Sequence, residues 1–404
     1  MKNKVIALID GNNFFVSCEV LMNPSLIGKP VCVLSNNDGC VISRSYEAKR
    51  LGIKMGQPYF LAKQDFPNAI YLSANFSIYH ELSQRMFEML TNYSDKIDVY
   101  SIDEAFIDIT GLDKVLKLSY EEIAKQIKTD IETNIGVSVS VGIANSKTLA
   151  KLATHKAKSL SGSYVIHKNK IEEEIENIPT SEIWGIGRNI ERSLKSYGIF
   201  TANEIILKDD NFYKTIYGKK GLELKYELMG ESVITLTGII EKPKSIQRTR
   251  AFPNFSKDEK YIMAELELHL HSVCKKLRDY NLQTKVVCVM LRTKEFRVFV
   301  LQEQLDFATN SELLLTPIVK NLFHKMYNKE LIYRSSGVYA CNLIEDEKLQ
   351  LSFFQNKNKE KKENLSKVID KIENKYGKGQ ISVGQTGIKS IMEKHKREKR
   401  HRPF

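Results

Sequence analysis

The chain has 404 residues, 42% of them hydrophobic and 27% charged, which excludes a disordered chain and implies two to four domains rather than one core. No apolar run approaches the roughly 20 residues that span a bilayer, and the few apolar residues before Asp10 are too short for a secretory signal, so a cytoplasmic protein with no membrane partner is expected. The net charge of +12 favours a polyanionic partner, although nine of those charges fall in residues 355–404, where fifteen Lys/Arg meet six Asp/Glu. The six cysteines form no CxxC pair and no zinc spacing, which suits buried free thiols.

Residues 5–9 read as a short buried strand ending at Asp10-Gly11-Asn12-Asn13, with a helix starting at Phe14 and the Asn pair as its cap. A second strand, Pro30 to Ser35, turns at Asn36-Asn37-Asp38-Gly39. A short helix then places Tyr46, Lys49 and Arg50 near one face, stopped by Gly52. An aromatic hydroxyl beside two cations suits a triphosphate, and equally a solvated basic face. Residues 76–92 form an amphipathic helix. Ile97 to Ile109 then reads as a strand–turn–strand hairpin with Asp103-Glu104 at its tip. An isolated Asp-Glu pair is usually a solvated turn, but a further acid at the end of another apolar run, Asp10, makes a shared cation site a competing reading. A helix around 120–133, a strand over 136–143 and a helix from Ser146 complete an α/β or α+β pattern with helices on one face of a sheet. Lys151 and Lys158 of the last helix add positive charge near the same edge.

From Ile178 a different unit begins. Trp184-Gly185-Ile186-Gly187, followed by Leu194 and Gly198-Ile199, is a helix–hairpin–helix pattern, in which Gly185 and Gly187 let backbone amides approach a DNA phosphate. Residues 241–245 read as a linker. Beyond them lies a small α+β domain with strands at 286–291 and 297–300 and helices at 258–278 and 311–327. Arg248, Arg250, Arg292, Lys294 and Arg297 cluster on or next to these strands; alternation can present several of them on one face to a nucleic-acid backbone, and a merely solvated face is the competing reading. The apolar cluster Gln350-Leu351-Ser352-Phe353-Phe354 suits docking into a groove. A helix at 364–376 and a mobile basic run at 394–402 follow.

These stretches together resemble the Y-family translesion DNA polymerases, in the UmuC-like branch, whose namesake is the catalytic subunit of DNA polymerase V. The similarity covers roughly residues 5–354. It rests on Leu8-Ile9-Asp10-Gly11-Asn12-Asn13-Phe14-Phe15, Ser35-Asn36-Asn37-Asp38-Gly39-Cys40, Ser101-Ile102-Asp103-Glu104-Ala105-Phe106, Lys147-Thr148-Leu149-Ala150-Lys151 and Trp184-Gly185-Ile186-Gly187. The resemblance implies an α+β multidomain right hand: a palm at 1–170 with small fingers inserted at about 23–77, a helix–hairpin–helix thumb at 171–240 and a little finger at 243–348. A clamp-binding peptide and basic tail occupy 349–404.

By the same resemblance, Asp10, Asp103 and Glu104 are the metal carboxylates, with the Gly11 carbonyl as a further ligand to two Mg²⁺ ions. Phe15 is the steric gate against ribose, and Phe14, Ser43, Tyr46, Lys49 and Lys158 join it around the nucleotide. The implied partners are primer–template DNA, deoxynucleoside triphosphates, the sliding clamp through Gln350–Phe354 and a UmuD-like accessory protein. The implied function is low-fidelity, damage-tolerant synthesis in repair and SOS mutagenesis. The rivals are a non-catalytic regulator that binds DNA and clamp, and a nucleotidyl cyclase on a similar palm.

Overall fold

The computed structural model describes residues 4–236, 238, 242–345 and 357–377. The chain divides into two units at residue 240. The first unit opens with β1 (Ile6–Gly11), α1 (Phe14–Met22), β2 (Val31–Leu34), β3 (Val41–Arg44), α2 (Tyr46–Arg50), α3 (Tyr59–Asp65), β4 (Ile70–Ser73) and α4 (Phe76–Leu90). It continues through β5 (Ile97–Val99), β6 (Glu104–Asp108), α5 (Leu112–Leu116), α6 (Tyr120–Ile135), β7 (Val139–Ala144), α7 (Lys147–Ser159) and β8 (Ser163–Val165). Four helices close it: α8 (Ile171–Ile175), α9 (Arg188–Ser196), α10 (Ala202–Leu207) and α11 (Asp210–Leu228).

The main sheet has the order β5-β6-β1-β7-β8, and every pairing in it is antiparallel except β7 with β8. Sequence patterning put helices on one face only; the structure covers both. Ile6 and Leu8 of β1 pack with Leu149 and Ala153 of α7, while Ala7 and Ile9 pack with Met86 of α4 and Ile127 of α6. The unbroken apolar run of β1 is the cause, because every residue of a strand buried on both faces must be apolar. At Gly142 the helix α7 presses directly on the sheet: a Cβ there would stand 2.1 Å from the Thr154 amide nitrogen. A separate small sheet, β3-β2-β4, is inserted between α1 and α4.

The second unit comprises β9 (Ile246–Ser256), α12 (Glu259–Asp279), β10 (Leu282–Thr293), β11 (Val298–Thr309), α13 (Glu312–Met326), β12 (Tyr333–Glu345) and α14 (Lys357–Tyr376). Its antiparallel sheet has the order β11-β10-β12-β9. Ile262, Leu266 and Leu270 of α12 and Val319 and Phe323 of α13 pack on Val287, Val289 and Val338. Sequence periodicity located β10, β11, α12 and α13 but not β9 or β12. Both of those strands carry small or charged residues, as in Gln247-Arg248-Thr249-Arg250 and Ser335-Ser336-Gly337, where an apolar alternation is the usual signal.

The tail helix is longer than the expected 364–376 and is anchored. Ser366, Ile369 and Glu373 are buried on one face of α14. Arg278 of α12 donates from Nε and Nη2 to Asp370 at 2.5 and 2.9 Å, and from Nη1 to Glu312 at 2.8 Å. His271 stands 3.2 Å from both Glu312 and Glu373, and Lys275 reaches Glu373 at 3.2 Å. The peptide Gln350–Phe354 and the basic run 394–402 lie outside the described residues.

Candidate active site

The acids meet at one end of the five-stranded sheet. Antiparallel register places Asp10 opposite Glu104, and the Gly11 amide donates to the Asp103 carbonyl at 2.9 Å. Lys158 donates to Asp10 Oδ2 at 2.7 Å, Lys151 to Glu104 Oε2 at 2.6 Å, and the Ser101 hydroxyl to Asp103 Oδ1 at 2.6 Å. Asp10 is only 7% exposed. Burial pushes its carboxyl up to about 6; Lys158 opposes that rise and Glu104 adds to it. Two carboxylates are thus forced together with incomplete compensation, which is unstable for a purely structural pair.

Among the described residues no three His, Cys, Asp or Glu side chains are gathered as a preformed cation-binding group; lysine ammoniums hold the acids instead. The donor set still suits a hard divalent ion, which takes carboxylate and carbonyl oxygens rather than imidazole or thiolate. Gly11 contributes by its size. A Cβ there would come within 2.9 Å of the Phe14 ring and 3.3 Å of Asp103 Cβ, so a larger residue would wedge the acid-bearing segments apart.

The turn from β1 into α1 departs from the expected capping. Asn13 is the N-cap with a left-handed φ of 48°, but its side chain makes no cap bond. The Asn12 amide instead spans to Ser138 (3.1 Å) and accepts from Ser140 (2.9 Å), tying the turn to β7. Ser43, expected at the triphosphate, donates to the Asn13 carbonyl at 3.2 Å and accepts from the Val16 amide. Its hydroxyl joins β3 to α1.

Phe14 and Phe15 part company, as neighbours on a helix do. Phe14 is 2% exposed and its ring fills the core under α1. Phe15 is half-buried. On α2, Lys49 Nζ lies 4.8 Å from the centre of the half-exposed Tyr46 ring. Burial lowers the Lys49 pKa, the charges of Arg44 and Lys158 lower it further, and Asp10 opposes them. Lys49, Lys158 and Asp10 therefore share one electrostatic neighbourhood. Arg50 does not join it; it pairs with Glu47 on the exposed face.

A feature missed at the sequence level is the cage around Lys151. Its ammonium lies 4.6 Å from the Tyr100 ring centre and 5.9 Å from that of Trp184. The Trp184 indole N–H donates to the Tyr100 hydroxyl at 3.0 Å, and its ring packs at 5.7 Å on Phe106. The turn that carries Gly185 and Gly187 is thereby attached to the hairpin that carries Asp103 and Glu104. Gly185 has φ +92°, and a Cβ on either glycine would meet nothing within 4 Å. Gly187 is the N-cap of α9, so the turn offers close backbone approach at a helix start.

In the second unit, register divides the arginines between the two faces of the sheet. Register puts Arg248 opposite Val338 and Arg250 opposite Ser336, in the rows that face α12, whereas Arg292 lies opposite Ser335 on the other face. Buried His269 of α12 reflects this arrangement. Burial pushes its pKa down to about 3, and the charges of Arg248 and Arg250 contribute. Arg297 lies in the turn between β10 and β11, where its carbonyl accepts from the Thr293 amide. Alternation sends odd and even residues to opposite faces, and cross-strand register, not composition, decides which face is open.

This geometry agrees with what the chain is similar to. Residues 9–155 match the impB/mucB/samB family and residues 243–353 match the impB/mucB/samB family C-terminal domain. Protein UmuC of Salmonella typhimurium is 30% identical, with 95% of this chain and 94% of the relative aligned. DNA polymerase IV 1 of Bacillus subtilis is 30% identical over the same shares of the two chains. Among solved structures, a Dbh–Dpo4 Y-family DNA polymerase chimera superposes with a TM-score of 0.71 at 27% identity, covering 84% of this chain and 99% of the chimera. An insertion ternary complex of Dbh DNA polymerase superposes at 0.56 with 27% identity and the same coverage. The chain belongs to the impB/mucB/samB family of Y-family DNA polymerases.

Proposed function

We infer that this chain carries out template-directed, damage-tolerant DNA synthesis by nucleotidyl transfer, in the manner of its translesion relatives. The observation that carries the reading is the cross-strand pair Asp10–Glu104 next to Asp103, facing Lys158 and Lys49. The five-stranded sheet acts as the palm, the β3-β2-β4 insertion as small fingers, α8–α11 as the thumb and the second unit as the little finger. In the reaction the primer 3′-hydroxyl forms a bond to the α-phosphorus, loses its proton, and pyrophosphate leaves.

Asp10, Asp103, Glu104 and the Gly11 carbonyl are assigned as the holders of two Mg²⁺ ions, which when bound would acidify the 3′-hydroxyl and neutralise the triphosphate. Lys49 and Lys158 bind the triphosphate oxygens by charge. Tyr46 lines their approach, and Phe15 sits beneath the sugar. Gly185 and Gly187 take a DNA phosphate on backbone amides, and Arg292 and Arg297 hold the DNA backbone from the second unit. Gln350–Phe354, whose sequence resembles a clamp-binding peptide, docks on the sliding clamp, and a UmuD-like protein is a further partner in a cytoplasmic SOS response. No helix among the described residues is long and apolar enough to cross a membrane.

A regulator that only binds DNA and clamp has no need of a cross-strand carboxylate pair with one member buried. Primer extension on intact and lesion-bearing templates, with and without clamp, tests the reading. Extension past the lesion that requires a template is expected; DNA binding without nucleotide incorporation would overturn it.

A further inference from the structure

A phenylalanine gate has no polar group of its own, so packing alone fixes where its ring stands. Phe15 stacks on Tyr79 of α4, with centroids 4.7 Å apart and planes 20° from parallel, and meets the edge of Phe76 at 5.9 Å. Phe76 also braces Tyr79 edge-on at 5.8 Å. Tyr79 is fully buried, and its hydroxyl donates at 2.7 Å to the carboxylate of buried Glu19. Glu19 lies one helical turn beyond Phe15 on the same helix, α1. The three residues therefore form a closed loop: the ring rests on Tyr79, and Tyr79 is tied back to the helix that bears the ring. Burial beside Glu19 pushes the Tyr79 phenol far above its ordinary value, so it remains a donor at any working pH.

We propose that Tyr79, held by Glu19, is the positioning residue that sets the depth of the Phe15 gate and hence how strictly this polymerase excludes ribonucleotides. The proposal rests on the steric-gate reading of Phe15. A sugar lying against the half-buried Phe15 ring meets a floor backed by Tyr79, which is stacked on that ring. Removing Tyr79 lets the ring drop and accommodates a 2′-hydroxyl. Removing only its hydroxyl leaves the floor in place but untied.

The test is single-nucleotide incorporation with matched ribo- and deoxynucleoside triphosphates, giving the ratio of the two kcat/KM values. Tyr79→Leu is expected to lower deoxy-over-ribo discrimination about tenfold, the order of one stacked aromatic pair, mainly by raising ribonucleotide kcat/KM. Tyr79→Phe is expected to lower it about threefold, in line with the loss of one net hydrogen bond. Glu19→Gln keeps an acceptor and should stay near the parent ratio. Phe15→Ala serves as the control. If Phe15→Ala relaxes sugar choice while Tyr79→Leu, folded by circular dichroism, leaves the ratio unchanged or lowers both substrates equally, the positioning role is wrong. If Tyr79→Leu does not fold, an unchanged ratio in Tyr79→Phe overturns the proposal. If Phe15→Ala itself changes nothing, the gate reading underneath has failed.

Discussion

Two clusters in this molecule are built from similar ingredients, buried acids facing cations, and they settle differently. At the end of the main sheet, Asp10 and Glu104 lie opposite each other, each contacted by one lysine ammonium, and Asp10 is pushed up to about 6. Under α14, Glu312 is just as buried, yet it is pulled down to about 2. Burial opposes that fall, and the hydrogen bond from His271 and the charge of Arg278 overcome it. The difference lies in the partner. A guanidinium is a rigid fork that satisfies two carboxylates at once, whereas a lysine is a mobile point charge that a stronger cation can displace. The first cluster is poised to exchange its counter-charge; the second is finished.

The largest expected effect breaks the first cluster. Glu104→Ala should reduce primer extension on the order of a thousandfold without lowering the melting temperature, because it relieves a carboxylate repulsion. A parallel loss of stability would show that the acids are structural. Arg278→Met attacks the second cluster and should do the reverse. Leaving buried Glu312 and half-buried Asp370 without the fork costs roughly 3–5 kcal/mol, seen as a lower denaturation midpoint, while single-nucleotide incorporation stays near the parent rate.

A smaller effect comes from pH. Hydrogen bonds to Glu312 and the charges of Glu312 and Glu373 raise the His271 pKa against its burial. Its contribution is therefore complete below the ordinary histidine value of 6.5 and is lost as pH rises through the raised folded value. Glu312 contributes above its ordinary value of 4.5 and loses that contribution as pH falls towards about 2. With Arg278 keeping its charge across this window, α14 should be held most firmly between those two ordinary values. Hydrogen exchange of its amides, corrected for intrinsic rates, should speed up as pH climbs through the raised His271 value; flat protection would remove His271 from the anchor.

How much of this was legible in the sequence follows the same contrast. Asp10 and the Asp103-Glu104 tip stand at the ends of strongly apolar strands, so their element types were readable. That they meet followed from the resemblance, and the register then made them direct partners. Gly185 and Gly187 were readable because their spacing is a local backbone requirement. The fate of Ser43 and Phe14 was not, since each depends on which side of α1 faces the core. Which arginines of the second unit share a face was unreadable for a related reason. Composition located them near strands, but two of the four strands lack an apolar alternation, and without register the faces cannot be assigned. The anchor of α14 hides in a Lys-rich stretch, where Ser366, Ile369, Asp370 and Glu373 recur at helical spacing with a single strongly apolar residue among them. Tyr79 was readable only as core; nothing in sequence says that the ring above it is Phe15.

The chain contains one tryptophan, and it is Trp184, bonded to Tyr100 and facing the ammonium that holds Glu104. Indole emission is sensitive to a nearby charge, so the unlabelled protein carries its own optical probe at the acid-bearing hairpin. Any event that moves Lys151, whether cation arrival or engagement of the glycine turn, can be followed in a fluorimeter on the native chain before a single nucleotide is added.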